Sequence, residues 1–484
     1  MMVAFAGTAA SPDTGLGRSA SYRQLHFDRS ARPFLVLWEL TRACDLACVH
    51  CRAESVPSRS PDELATDEIK RVLDDLAGLG APRPIIVLTG GDPFKRPDLN
   101  EIVSYGSQLS LRMAVAPSGT PLATGDNLMA LRRAGATAVS FSIDGADAGT
   151  HDRFRRVPGS FDLTVNACQA AVSVGLHLQV NTTVCAETVE ELPGIVQLVR
   201  SLGAGLWSVF FLVPTGRGKL LKALTDKQVE DVLYFLAEVS SKVIPAKTTE
   251  APQFRRVLVQ RDSAMTTQNE RHSLSGRYDP AARTPLYTRL MAGIADLLPS
   301  AGVDHSNRAI PPGDSVGGSD GGGTSIQGAS GQYGRSGDDT GEGDGRGGGQ
   351  YGRSGDATRG RDSRGGGQDG SSGEGGRRTM RRPLVVGDGY GVVFISHTGD
   401  ISPSGFLPMV VGNVRESSLM SVYRESELMN ALRNVAGYHG RCGTCEYRDI
   451  CGGSRSQAFA AYGDPLAEDP NCPYEPSGAT TDIV

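Results

Sequence analysis

The chain has 484 residues, 39% hydrophobic and 21% charged, with a formal net charge of −5. That length predicts two or three soluble domains, and the charge offers no electrostatic case for nucleic acid or an anionic membrane surface. No run reaches the ~20 apolar residues of a bilayer span, and the opening MMVAFAGTAASP lacks the basic stretch of a secretory signal, so a cytoplasmic location is expected.

Residues 1–33 are polar and irregular and read as an arm. Short apolar runs follow at 34–40, 85–89, 112–116, 137–143, 177–183 and 206–213, each bounded by Gly, Pro or Asp, as buried strands are. Helical patterns separate them. The clearest is 66–79, with Thr66 as N-cap, Ile69, Val72, Leu73 and Leu76 on one face, and Gly80 as the stop. Others run over 98–109, 126–134, 161–174, 187–201 and 226–242. Serial β–α units predict a parallel sheet with right-handed crossovers. The fold class is α/β: an open (βα)6 partial TIM barrel over 34–215, then a helical connection over 216–310. Chemistry in such folds collects beyond the carboxyl ends of the strands.

Residues 311–380 hold 26 of the 62 glycines and repeat the octet GQYGRSGD at 331–338 and 349–356. No unit carries an apolar face, so a long disordered Gly-rich insert is expected. Between 313 and 378 ten acids outnumber eight arginines, which argues against RNA binding. A small cysteine-containing domain follows over 381–476, with a tail over 477–484.

Seven of the nine cysteines fall in two groups, which points to metal ligation rather than disulfides. The first group, in WELTRACDLACVHCRAES, spaces Cys44, Cys48 and Cys51 as CxxxCxxC directly after the first strand. Structural zinc takes four ligands, and only His50 turned inward could add one locally. A 4Fe–4S cluster held by three cysteines keeps one iron open. Together with TGGDP at 89–93 after the second strand, this pattern resembles the radical SAM superfamily over roughly 34–215.

That resemblance implies a cluster whose open iron binds S-adenosylmethionine, and reductive cleavage to a 5′-deoxyadenosyl radical that abstracts a substrate hydrogen. It also implies candidate contacts to that molecule. Gly90 and Gly91 would let backbone approach its methionine part, and Asp92 would face its ammonium, where the superfamily more often has Glu. Ser142 and Asp144 end the fourth strand, placed for ribose hydroxyls. Arg155, in HDRFRRVPGSF, could pair with the methionine carboxylate, and Asn181 ends the fifth strand as a further polar candidate. Cys168 and Cys185 read as buried free thiols.

The second group, Cys442, Cys445, Cys451 and Cys472, makes a closed four-thiolate set that by spacing suits zinc or an iron–sulfur cluster. Upstream, YGVVFISHTGDISPSGFLPMVVGNV reads as a hairpin turned at Thr398-Gly399-Asp400, leading to a Gly412-Asn413 turn. Over 384–476 the region resembles the SPASM-type extension of radical SAM enzymes, which implies one auxiliary 4Fe–4S cluster. Fuller domains of this type hold two, and Ser404 and Arg455 stand where further thiolates would be expected.

CGGSRSQAFAAYGDPLAEDPNC is most similar to the haem and haem d1 pathway subgroup, which implies a tetrapyrrole propionate as substrate. Lys247, Arg255 and Arg256 in KTTEAPQFRR are candidates for its carboxylates, against a solvated basic loop. A flavodoxin or ferredoxin would supply the electron. The alternatives are a peptide- or protein-modifying maturase, disfavoured by an arm too short for a leader-binding domain, and a non-catalytic zinc or Fe–S scaffold.

Overall fold

The computed structural model describes residues 27–267, 284–299 and 385–477. The expected insert over 311–380 lies outside the described residues, as does most of the expected arm.

Strands β1 (Leu35–Thr41), β2 (Ile85–Gly90), β3 (Arg112–Val115), β4 (Ala138–Ser142), β5 (His177–Val184) and β6 (Leu206–Phe211) fall where the apolar runs predict. They pair in sequence order, all parallel. Crossovers run through α1 (Thr66–Ala77), α2 (Leu99–Gln108), α3 (Gly125–Ala134), α4 (Ala148–Arg155), α5 (Ser160–Ser173) and α6 (Leu192–Ser201). Alternation along the strands sends one set of side chains under the helices, including Trp38, Leu88, Phe141, Val180 and Trp207, all fully buried. The other set lines the inside of the open barrel. On β4 and β5 it is polar: Ser140, Ser142, Gln179, Asn181 and Thr183 are all half-buried. A closed barrel fills this space with branched apolar side chains; here β4 and β5 line it with small polar ones.

Local chemistry shifts several expected boundaries. Thr66 is the first residue of α1 rather than its cap, because its hydroxyl donates to Asp98 (2.6 Å) while Ala65 takes the cap position and its amide donates to Glu68 (2.7 Å). The helix of 187–201 begins only at Leu192, after a single 3-10 turn over Val189–Glu191. Helix α4 lies where no helix is expected; Asp147 caps it by accepting from the Thr150 amide (2.9 Å).

The sheet extends beyond the six units on both edges. After α7 (Asp226–Lys242), strand β7 (Ala246–Thr249) pairs parallel with β6. Helix α8 (Gln253–Thr267) then follows. On the other edge, short β8 (Gly387–Asp388) precedes β9 (Gly391–Ile395), which pairs parallel with β1 from Leu35↔Val392 to Trp38↔Ile395. The hairpin around Thr398-Gly399 forms as expected and returns as β10 (Asp400–Ser402). Gly412-Asn413 is a strand, β11 (Gly412–Asn413), rather than a turn, paired antiparallel with β10. The cysteine-rich C-terminal region is therefore built onto the edge of the barrel sheet, beside the strand that feeds the first cysteine loop.

Candidate metal centres

β1 runs directly into the first cysteine loop, which closes on itself when the Cys44 amide donates to Val56 (2.8 Å). Cys44 and Cys48 are buried and Cys51 is half-buried, and all three are free thiols. Burial pushes the Cys44 and Cys48 thiols up. At Cys51 burial acts the same way, but the Ser55 amide and hydroxyl together with Arg217 outweigh it and bring the thiol down. The Arg155 guanidinium donates to the Cys48 sulfur (3.5 Å), and the Ser118 hydroxyl lies 3.6 Å from the Cys44 sulfur. His50, the local candidate for a fourth ligand, stacks on the Phe154 ring at 4.6 Å. Three thiols with supporting donors and no local fourth ligand fit a cluster that keeps one iron open.

The TGGDP loop is pinned beneath this site. The Gly91 amide donates to Thr41 and the Asp92 amide to Ala43, each at 2.7 Å. A Cβ at Gly90 would lie 2.2 Å from the Thr41 carbonyl oxygen, and one at Gly91 would lie 2.3 Å from that of Ala43. Both glycines are thus required by close backbone approach to the cysteine loop, a reason distinct from the expected approach to a ligand. Asp92 is fully buried, and its carboxylate accepts from the Thr120 hydroxyl (2.7 Å) and the Phe94 amide (3.1 Å). Burial lifts its carboxyl above the usual range.

Asp144 and Arg155, expected on separate parts of one ligand, pair with each other in this structure. Burial pushes the Asp144 carboxyl up, but the Arg155 guanidinium, with His50, His151 and the Thr183 amide, holds it below the usual range. Arg155 thereby joins the Cys48 sulfur to the end of β4. Ser142 and Asn181 sit opposite each other in register on the inner wall. Asn181 is mid-strand rather than terminal, and its side-chain oxygen accepts from Gln179 (2.7 Å). Cys168 and Cys185 are buried as expected, and burial pushes both up to about 12. Two supporting residues escaped the sequence reading. Ser118 donates to the Gly91 carbonyl (2.7 Å), and Arg217 donates to the Cys48 carbonyl (2.9 Å). Ser118 follows β3, so the rule that chemistry gathers past strand ends was the available signal; Arg217 carried none.

The four C-terminal cysteines line one cavity, together with Arg256, Arg441 and Arg448. Burial pushes Cys445, Cys451 and Cys472 up, Cys451 to about 12. Three arginines around four thiols would offset the charge of a thiolate-held cluster. Zinc needs its sulfurs about 2.3 Å from one point. Four free thiols around one cavity supply the donor set of a four-thiolate site, zinc or an iron–sulfur cluster.

Ser404 and Arg455 are both buried in hydrogen-bonded positions. The Ser404 hydroxyl lies 3.3 Å from that of Ser456, and Arg455 donates to the carbonyls of Pro465 (3.0 Å) and Ala467 (2.7 Å). Arg255 and Arg256 are not free for substrate carboxylates. Arg256 pairs with Glu230 (2.5 Å), and Arg255 donates to the carbonyls of Val386 (2.5 Å) and Ile450 (3.4 Å).

A family model for the radical SAM superfamily matches residues 38–199, from β1 through most of α6, and includes Cys44, Cys48 and Cys51. The AdoMet-dependent heme synthase of Oleidesulfovibrio alaskensis is 32% identical over 445 residues, covering 91% of this chain and 87% of its own. The chain belongs to the radical SAM superfamily. This radical SAM enzyme is also 31% identical to the AdoMet-dependent heme synthase of Methanosarcina barkeri, over 92% of this chain and 97% of that one. Its fold matches that of Streptococcus suis SuiB bound to S-adenosylmethionine, with a TM-score of 0.55 and 12% identity over 92% of this chain and 78% of that one. A 4Fe–4S cluster and S-adenosylmethionine are the cofactors of this superfamily, and the non-catalytic scaffold reading falls with membership in it. No described helix is long and apolar enough to cross a membrane.

Proposed function

We propose that this enzyme modifies a propionate-bearing tetrapyrrole. The observation that carries the reading is likeness to two heme synthases over nine-tenths of the chain, rather than over the barrel alone. In this reading residues 34–215 form the catalytic core, 216–310 the connection and 381–476 the auxiliary-cluster region. Cys44, Cys48 and Cys51 hold the cluster that binds S-adenosylmethionine, and Cys442, Cys445, Cys451 and Cys472 hold one auxiliary cluster. When bound there, the cluster and S-adenosylmethionine would supply the radical chemistry for removing a hydrogen from the substrate.

The chain's own residues position and shield. The Gly90–Gly91 backbone fixes the cysteine loop, so that Asp92 sits beside the first thiol. Arg155 offsets negative charge at Cys48 and, by exchanging Asp144 for a ligand carboxylate, can bind the methionine end. Asp144, Ser142 and Asn181 then offer acceptors and donors along the inner wall to the nucleoside part. The electron comes from a flavodoxin or ferredoxin in the cytoplasm.

The test is anaerobic reconstitution with iron and sulfide, followed by dithionite, S-adenosylmethionine and iron coproporphyrin III, a porphyrin with four propionates. Formation of 5′-deoxyadenosine that rises with added porphyrin, alongside a change in porphyrin mass, is expected. An unchanged porphyrin with 5′-deoxyadenosine indifferent to its presence would overturn the tetrapyrrole reading and leave the superfamily assignment standing.

A further inference from the structure

One row of side chains crosses the inner wall from β4 to β7. Ser142 pairs with Asn181, Asn181 with Ser208, and Ser208 with Lys247. Neighbouring strands lie about 4.8 Å apart, so three steps span roughly 14 Å from Ser142 to Lys247. Alternation places Lys247 on the inner face. Ala246 before it is fully buried in the helix-side core, and Thr249, two residues on, brings its hydroxyl 3.4 Å from that of Ser208.

Glu250, just past β7, accepts from the Ser454 hydroxyl (2.6 Å). The side chains on this part of the wall are neutral: serine and threonine hydroxyls, the amides of Gln179 and Asn181, and the Phe210 ring in register between Thr183 and Thr249. Lys247 is half-buried among them, and no described residue gives its ammonium a hydrogen bond or ion pair. The other two cations of the segment, Arg255 and Arg256, are committed to carbonyls and to Glu230. Burial alone acts on the Lys247 ammonium and pushes its pKa down to about 8, so at neutral pH it remains mostly charged. Withdrawing a cation from water without a partner is costly. A ligand carboxylate entering the lumen would restore what the fold withholds. The ammonium, a compact charge on a flexible stem, can follow such a group where a bidentate arginine would demand one geometry.

We propose that Lys247 forms the substrate-carboxylate subsite of the barrel lumen, pairing with one propionate-type group and setting which side chain of the substrate lies toward the Ser142 end of the row. This rests on the tetrapyrrole reading for the nature of the substrate.

The test uses the reconstituted holoenzyme with S-adenosylmethionine present. Binding of metal-free coproporphyrin III and of its tetramethyl ester is followed by porphyrin fluorescence for the wild type, Lys247→Met and Lys247→Arg. The acid should bind at least tenfold more weakly to Lys247→Met and within about threefold of wild type to Lys247→Arg. The ester should bind the wild type and Lys247→Met alike. Thermal melts accompany each protein, and Lys247→Gln replaces the Met variant if that one does not fold. Equal affinity of the acid for wild type and Lys247→Met, or equal loss for acid and ester, would overturn the subsite. A wild type that binds neither porphyrin would instead bring down the tetrapyrrole reading, and the subsite with it.

Discussion

Protonating His151 would cost the folded chain a hydrogen bond at the end of β4. Its Nδ1 accepts from the Asp144 amide (3.3 Å), and burial, reinforced by the Arg155 cation, pushes its pKa down to about 4 from an ordinary 6.5. The unfolded chain therefore takes the proton first. Stability from this group is intact above about pH 6.5 and is lost as pH falls toward 4, by up to about 3 kcal/mol. Urea unfolding of the cluster-free protein at pH 7 and pH 4.5 should show a smaller acid loss in His151→Gln than in the wild type; an equal loss would contradict this. The residues legible in the sequence were those whose type and spacing encode chemistry, above all the seven clustered cysteines. Ser118 offered only its place past the end of β3, and Arg217 offered nothing, because its contact with the Cys48 carbonyl exists only once the fold brings the two together. Asp144 and Arg155 were both noticed, yet nothing in their order along the chain could say that they meet.

Between elements, the contact that matters most is the seating of the TGGDP loop on the base of the cysteine loop. A methyl group at Gly91 would lie 2.3 Å from the Ala43 carbonyl oxygen, where two backbones must approach. Gly91→Ala should therefore destabilise the protein by about 2–3 kcal/mol and lower the iron retained after reconstitution. Gly78→Ala is the control, since its nearest backbone oxygen would be at an ordinary 3.4 Å. Melting temperature and iron content measured together decide it, and a Gly91 variant matching the control in both would contradict the seating. The strands of the core were readable because short runs rich in apolar residues, bounded by turn residues, mark strands whose helix-side face is buried. Strand β7 was not: Ala246–Thr249 is short and mostly polar, its inner face belonging to the lumen rather than to the core. The β11 pair, Gly412-Asn413, carries a turn signature that pairing with β10 overrides.

For the whole molecule, continuity of the sheet through β9 ties the C-terminal cysteines to the barrel, and their number limits what they can hold. With Ser404 and Arg455 in two positions where further thiolates would be expected, four C-terminal cysteines remain, enough for one cluster. The anaerobic holoenzyme should hold about eight irons per chain, and replacing all four should leave about four while reductive cleavage persists. About twelve irons in the wild type would contradict a single auxiliary cluster. Hydrogen abstraction from a tetrapyrrole propionate is tested most directly by isotope transfer. With iron coproporphyrin III deuterated in its propionate methylenes, mass spectrometry of the 5′-deoxyadenosine formed should show deuterium incorporated at its 5′ carbon. Unlabelled 5′-deoxyadenosine, formed at the same rate with labelled porphyrin as without any, would contradict it.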